Sequence, residues 1–129
     1  VLVIADRLDS ENKAYPLGID LTMQPAILKV KEWMADNPEH PWTIKELAEL
    51  AGLNPVHFVR QFRKVFSMPP HRYLLHLRIE RARVMLGHAD IPITEVALEL
   101  GFSSSQHFSR VFRAHTGVSP RQFRKGTNP

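Results

Sequence analysis

Two groups of side chains in this 129-residue sequence could do chemistry, and both are arginine-centred. Arg60, Arg63 and Lys64 lie close together in the first half, and Arg110 and Arg113 repeat the first two in the second half. From Arg60 to Arg83 seven basic residues meet one acid, Glu80. From Ser103 to Lys125 five basic residues meet none. Arginine outnumbers lysine eleven to six. A guanidinium is a planar fork of donors suited to phosphates and to base edges, so this bias points to a polyanion more than to general solubility. The net charge of +4 conceals the asymmetry: residues 1–37 sum to −2 and residues 38–129 to +6.

Other chemistries find little support. Seven histidines (40, 57, 71, 76, 88, 107 and 115) invite a metal or an acid–base reading. His57 and His107 fall at matched positions of a repeat, which suits packing, and His71 and His76 are five apart, the wrong spacing for one helix face. No H-E-x-x-H, P-loop or G-x-G-x-x-G pattern occurs. The chain contains no cysteine, which removes disulfides, thiolate metal sites and cysteine nucleophiles. We therefore expect no enzyme, no cofactor and no metal. No apolar run reaches 18 residues, so no membrane span is expected. A cytoplasmic globular chain of one domain, or of two very small ones, fits the length.

The elements that must position the arginines read as helices throughout. From Gln24 to Asn37, Ile27, Val30, Trp33 and Met34 fall at helical spacing, and Asn37-Pro38 stops the run. Thr43-x-x-Glu46 is a capping box opening the run Ile44, Leu47, Ala48 and Ala51, which Gly52 ends. Asn54-Pro55 starts the next helix, with Phe58, Phe62, Val65 and Phe66 inward. Pro69-Pro70 opens a longer helix to about Leu86, whose inner face is expected to hold Leu74, Leu77, Ala82, Val84 and Met85. A short helix follows Pro92, with Ile93, Val96, Ala97 and Leu100 inward, and Gly101 ends it. Ser103-Ser104 caps a helix burying Phe108, Val111 and Phe112, and a last turn spans Arg121 to Lys125.

An internal repeat organises these helices. Leu47, Ala48 and Gly52 align with Val96, Ala97 and Gly101 at an offset of 49. At an offset of 50, His57, Phe58, Arg60, Phe62, Arg63 and Pro70 then meet His107, Phe108, Arg110, Phe112, Arg113 and Pro120. Each copy is a short helix, a glycine turn and a longer helix rich in Phe and Arg. Alanine lets two helix axes approach and glycine adopts the positive φ of a sharp corner, which is the helix-turn-helix arrangement.

A helical wheel separates the faces of the longer helices. With Phe58 at zero, Phe62 and Val65 stay within about 40°, whereas Val56, Arg60 and Arg63 lie at about 140–200°. Val59 and Lys64 flank that outer stripe. Gln106, Ser109, Arg110 and Arg113 take the same angles around Phe108. Arginine can donate bidentately to guanine and glutamine to adenine, while valine can touch a thymine methyl group. Gln106 has a second reading, because Ser103 and Gln106 are spaced as a capping box. Arg63 and Arg113 suit phosphates, which fix position without carrying sequence information. Between the copies, a helix of about 17 residues is roughly 25 Å long and can hold two reading helices about one DNA turn apart. Arg72, Arg78 and Arg81 on it could meet phosphates or tie the two units together.

These residues resemble the AraC/XylS family of bacterial transcription regulators over about Gln24 to Lys125. The resemblance rests on Ala97-x-x-x-Gly101-Phe102, on Gln106-His107-Phe108-Ser109-Arg110-Val111-Phe112-Arg113, on Gly117-Val118-Ser119-Pro120-Arg121-Gln122-Phe123-Arg124, and on Arg78-Ile79-x-x-Ala82-x-x-x-Leu86. It implies an all-α fold of seven helices, with two helix-turn-helix subdomains (24–68 and 88–129) joined by a linker helix (69–87). Residues 1–23 are then a linker or the remnant of an upstream domain. It implies recognition helices at about 55–66 and 104–115 in adjacent major-groove segments of double-stranded DNA. Base reading would fall on Val56, Val59 and Arg60, and on Ser105, Gln106, Ser109 and Arg110. Phosphate contacts are expected from Arg63, Lys64, Arg113, Arg121 and Arg124. Valines stand in the first helix where the family more often has polar or aromatic residues, which shifts the weight of discrimination to the second unit or to Arg60. RNA polymerase is an expected second partner, and a monomeric domain with dimerisation through a further, absent domain is the expected assembly. The competing reading is a protein-interaction module that meets an acidic partner through its basic face.

Overall fold

The computed structural model describes residues 22–126, and among them all regular structure is helical. The expected linker at 1–23 lies almost wholly outside the described residues. Seven helices follow in order: α1 (Gln24–Asp36), α2 (Ile44–Ala51), α3 (Pro55–Phe66), α4 (Pro70–Leu86), α5 (Ile93–Glu99), α6 (Ser105–Thr116) and α7 (Pro120–Arg124). Their starts follow the expected chemistry. Thr43 Oγ1 accepts from the Glu46 amide at 3.0 Å, which is half of the expected capping box, since the Glu46 carboxylate turns to His40 instead. Asn54 Oδ1 accepts from the His57 amide at 2.8 Å. Each such cap satisfies an otherwise orphaned donor, typically worth about 1 kcal/mol.

Two separate apolar cores form. The first joins Ile27, Val30 and Met34 of α1, Leu47, Ala48 and Ala51 of α2, Phe58 and Phe62 of α3, and Leu74 of α4. The second joins Ile79, Ala82 and Leu86 of α4 with Val96, Ala97, Leu100, Phe102, Phe108, Phe112 and Val118. The repeat is visible in both. Phe58 and Phe62 pack with ring centroids 5.7 Å apart, and Phe108 and Phe112 at 5.6 Å. Ala48 and Ala97 are buried to the same degree, which lets the short helix of each unit lie close against the longer one.

α4 belongs to both cores but through different faces. Taking Leu74 as zero, Leu77 lies at about −60°, whereas Ile79, Ala82 and Leu86 lie at about 80–140°. Tyr73, Leu74 and Leu77 face the first core, and Leu75, Ile79, Ala82, Met85 and Leu86 face the second. This geometry corrects the expectation for Val84, which is 64% exposed. Val84 continues the Leu77 stripe two turns further on, where the first unit no longer covers it.

Arginines fasten α4 at its middle and at its C-terminal end. Arg78 donates from Nε to the Pro38 carbonyl oxygen at 2.7 Å and from Nη2 to the His40 carbonyl oxygen at 2.9 Å. Of the two roles open to Arg78, it takes the tie, while Arg72 and Arg81 remain exposed. Arg124 of α7 donates to the carbonyl oxygens of Leu86 and His88 at 3.0 and 3.1 Å. The Arg83 guanidinium also lies over the Phe123 ring, 5.7 Å from its centroid, so α7 is fixed to α4 from two directions.

Candidate nucleic-acid interface

Each longer helix is held by its aromatic stripe, and this fixes what the opposite side presents. On α3, the burial of Phe58 and Phe62 turns Val56, Arg60 and Arg63 to solvent. Val56 is 66% exposed, although valine is a poor helix former and gains nothing from water. Val59 and Lys64 are half-buried at the edges of the same face. All five line one open groove, together with Ile44, Pro55 and Ser67. Its lining therefore sets apolar side chains beside three cations.

Ile44 and Pro55 are the groove residues that sequence reasoning did not select. The spacing predicts Ile44 inward as the first residue of α2, and it is half-buried, packed against the core and lining the groove. Its place directly after the Thr43 cap, at the exposed end of a short helix, was the available signal.

On α6, the same logic exposes Gln106, Arg110 and Arg113 and leaves Ser105 and Ser109 half-buried. The cap resolves the two readings of Gln106. Ser104, one residue later than a Ser103–Gln106 box requires, accepts from the His107 amide at 3.0 Å. Gln106 thus has no capping role, and its amide projects on the exposed face. A reciprocal capping box does form between Ser119 and Gln122 at the start of α7. His107, matched to His57 in the repeat, sets its ring edge-on against Phe102 at 5.6 Å and its Nδ1 3.3 Å from Ser103 Oγ.

The cations also sit where helix electrostatics favours them. Arg63 and Lys64 occupy the last turn of α3, and Arg113 the last turn of α6. A cation at a helix C-terminus gains about 0.3–1 kcal/mol from the macrodipole when exposed. Arg121 is exposed at the start of α7. Arg124 departs from the expectation of a phosphate contact. Its guanidinium is taken up by the Leu86 and His88 carbonyls, so we leave it out of the interface.

Among the described residues no three His, Asp or Glu side chains converge on a point that could hold a metal ion, and no helix is long and apolar enough to cross a membrane. The site is a pair of arginine-bearing helix faces on two packed helix-turn-helix units. That constellation defines a nucleic-acid-binding module.

Comparison with known proteins gives the same class and makes it narrower. A family described as a helix-turn-helix domain matches residues 47–126. The transcriptional regulator GbdR of Pseudomonas aeruginosa is 36% identical over 121 residues, covering 93% of this chain and 33% of that protein. A transcriptional regulator with an AraC-type DNA-binding domain from Chromobacterium violaceum superimposes with a TM-score of 0.74 at 30% identity, over 84% of this chain and 96% of the other. The DNA-binding domain of the global transcriptional factor AdpA, solved with a target DNA, gives 0.74 at 27% identity over 78% and 91%. The chain belongs to the AraC/XylS family of transcription regulators and has the fold of that family's DNA-binding domain. It spans about a third of the length of the curated relatives it matches.

Proposed function

We propose that this domain reads a specific double-stranded DNA sequence by placing α3 and α6 in adjacent segments of the major groove. The observation that carries this is the matched outward face of the two helices, each held on its own aromatic core and both mounted on α4. Arg60, Val56 and Val59 form the first reading face, and Arg110, Gln106, Ser105 and Ser109 the second. Arg63, Lys64, Arg113 and Arg121 bind phosphates around them.

The two faces read different chemistry. The α3 groove offers valines and one arginine, a surface for thymine methyl groups beside a guanine. The α6 face offers hydrogen-bonding side chains and favours guanine and adenine edges. The domain acts in the cytoplasm as a monomer on one duplex. A contact with RNA polymerase would fall away from both faces, where α5 leaves Leu98 73% exposed between Glu95 and Glu99.

Selection from a library of random duplexes tests the proposal. The expected product is a bipartite site whose two halves are centred about 10 bp apart. Enrichment of a single short site, or of no site at all while an acidic protein surface binds, would overturn it.

A further inference from the structure

Among the described residues the two cores share no member, and α4 is the element that contributes to both. One polar cluster spans the gap. Arg78 lies on the stripe of α4 between its two buried faces, at about 40° on the wheel with Leu74 at zero. It is only 9% exposed, and burial pulls its guanidinium below the ordinary range, with Glu39 opposing the shift. Its two donors hold the carbonyls of Pro38 and His40, in the loop between α1 and α2.

The loop is itself braced. Trp42 Nε1 donates to the Asn37 carbonyl at 2.9 Å, and the His40 ring meets Glu46 at 3.1 Å and packs on Trp42. The second unit reaches this cluster through its turn. A Cβ on Gly101 would stand 3.0 Å from the Glu39 carbonyl oxygen and 3.3 Å from Arg78 Cζ. The equivalent glycine of the first unit, Gly52, has nothing within 4 Å. The first unit's loop, the linker helix and the second unit's turn therefore converge on one guanidinium.

We propose that Arg78 is a positioning residue: by clasping the Pro38–His40 loop beneath Gly101, it fixes the rotation of the second helix-turn-helix unit relative to the first. The first consequence, a fixed distance between units, does not depend on DNA. The second, intolerance to altered half-site spacing, rests on the proposed reading of DNA.

The absence of cysteine makes the first consequence directly measurable. Nitroxide labels at Lys45→Cys on α2 and Glu95→Cys on α5, both exposed, report the distance between units by double electron–electron resonance. The parent chain is expected to give one narrow distribution, and Arg78→Met a distribution at least twice as wide. If Arg78→Met loses helical circular dichroism, Arg78→Lys carries the same test, because it keeps the charge but not the two-pronged fork. An unchanged narrow distribution in a folded variant overturns the proposal.

The second arm uses a duplex taken from the random-library selection and a copy with 2 bp inserted between its halves. The insertion is expected to weaken the parent at least tenfold and Arg78→Met less than threefold. Equal spacing dependence in parent and variant overturns the phasing role. Failure of any duplex to be selected would instead count against the DNA reading and leave the label result to decide on Arg78.

Discussion

Arg78 and Arg124 stand in the same relation to the chain. Each uses Nε and Nη2 to hold two carbonyl oxygens two residues apart, Pro38 and His40 in one case and Leu86 and His88 in the other. Each pair of carbonyls belongs to the segment that leads into the short helix of a helix-turn-helix unit. The repeat therefore extends beyond the reading motif to the clasp behind it. The guanidiniums themselves are not at equivalent repeat positions, since Arg124 directly follows Phe123 whereas Arg78 comes five residues after Tyr73. Arginine suits this task because its fork is rigid and stays protonated when partly desolvated.

Arg60 and Arg110 are proposed to read bases, and this separates them from phosphate contacts. Arg110→Ala is expected to cost about 1–3 kcal/mol on the selected duplex and much less on random DNA. Fluorescence anisotropy with both duplexes at one salt concentration measures the difference. Equal losses on both would place Arg110 on a phosphate.

Arg63 and Arg113 call for the opposite result. Each alanine variant should weaken binding to all sequences alike and reduce the slope of log affinity against log salt by about 1. Titrations between 50 and 200 mM salt check this, and Arg124→Ala is a control. Its guanidinium is engaged within the protein, so its loss should lower the melting temperature and leave the slope unchanged.

The thymine methyl contacts proposed for Val56 and Val59 can be removed from the DNA rather than the protein. Replacing thymine by deoxyuridine in the first half-site should weaken the parent by about 1 kcal/mol, in line with the loss of one buried methyl group. Val56→Ala should be weaker at the start and less sensitive to that replacement. Deoxyuridine in the second half-site, which α6 is proposed to read by hydrogen bonds, should have little effect.

The two turn glycines should differ in a thermal melt. Gly52→Ala meets only the cost of a left-handed backbone, about 1–2 kcal/mol. Gly101→Ala adds a contact at 3.0 Å with the Glu39 carbonyl oxygen and should lower the melting temperature further. Similar losses for both would mean that the loop yields freely, and the junction would then be softer than its geometry indicates.

Much of this molecule was legible in local patterns. The capping residues, the glycine turns and the 50-residue repeat lie within short windows, so they predict seven helices with boundaries off by a residue or so at α6 and α7. The outward faces follow from the same wheel, since burying Phe58 and Phe62, or Phe108 and Phe112, decides what remains outside. What sequence missed is long-range. Arg78 and Arg124 meet partners 36 to 40 residues away, and no periodicity separates such a tie from a surface arginine. Val84 misled because α4 changes its buried face half-way along, and a single-face wheel cannot represent that. The role of Gln106 depends on whether Ser103 or Ser104 caps α6, a one-residue choice that tertiary packing makes.

The two cores built on one continuous helix have a consequence for any sequence the domain would read. A two-fold dimer sees halves related by a two-fold rotation and has no front or back along DNA. Here the halves arise by tandem repetition, and their faces differ, valine-bearing on α3 and glutamine- and serine-bearing on α6. A site matched to them is a direct, unequal pair with a polarity. Inverting it would turn the whole protein end for end, and the exposed Leu98 with it, relative to whatever lies next on the duplex.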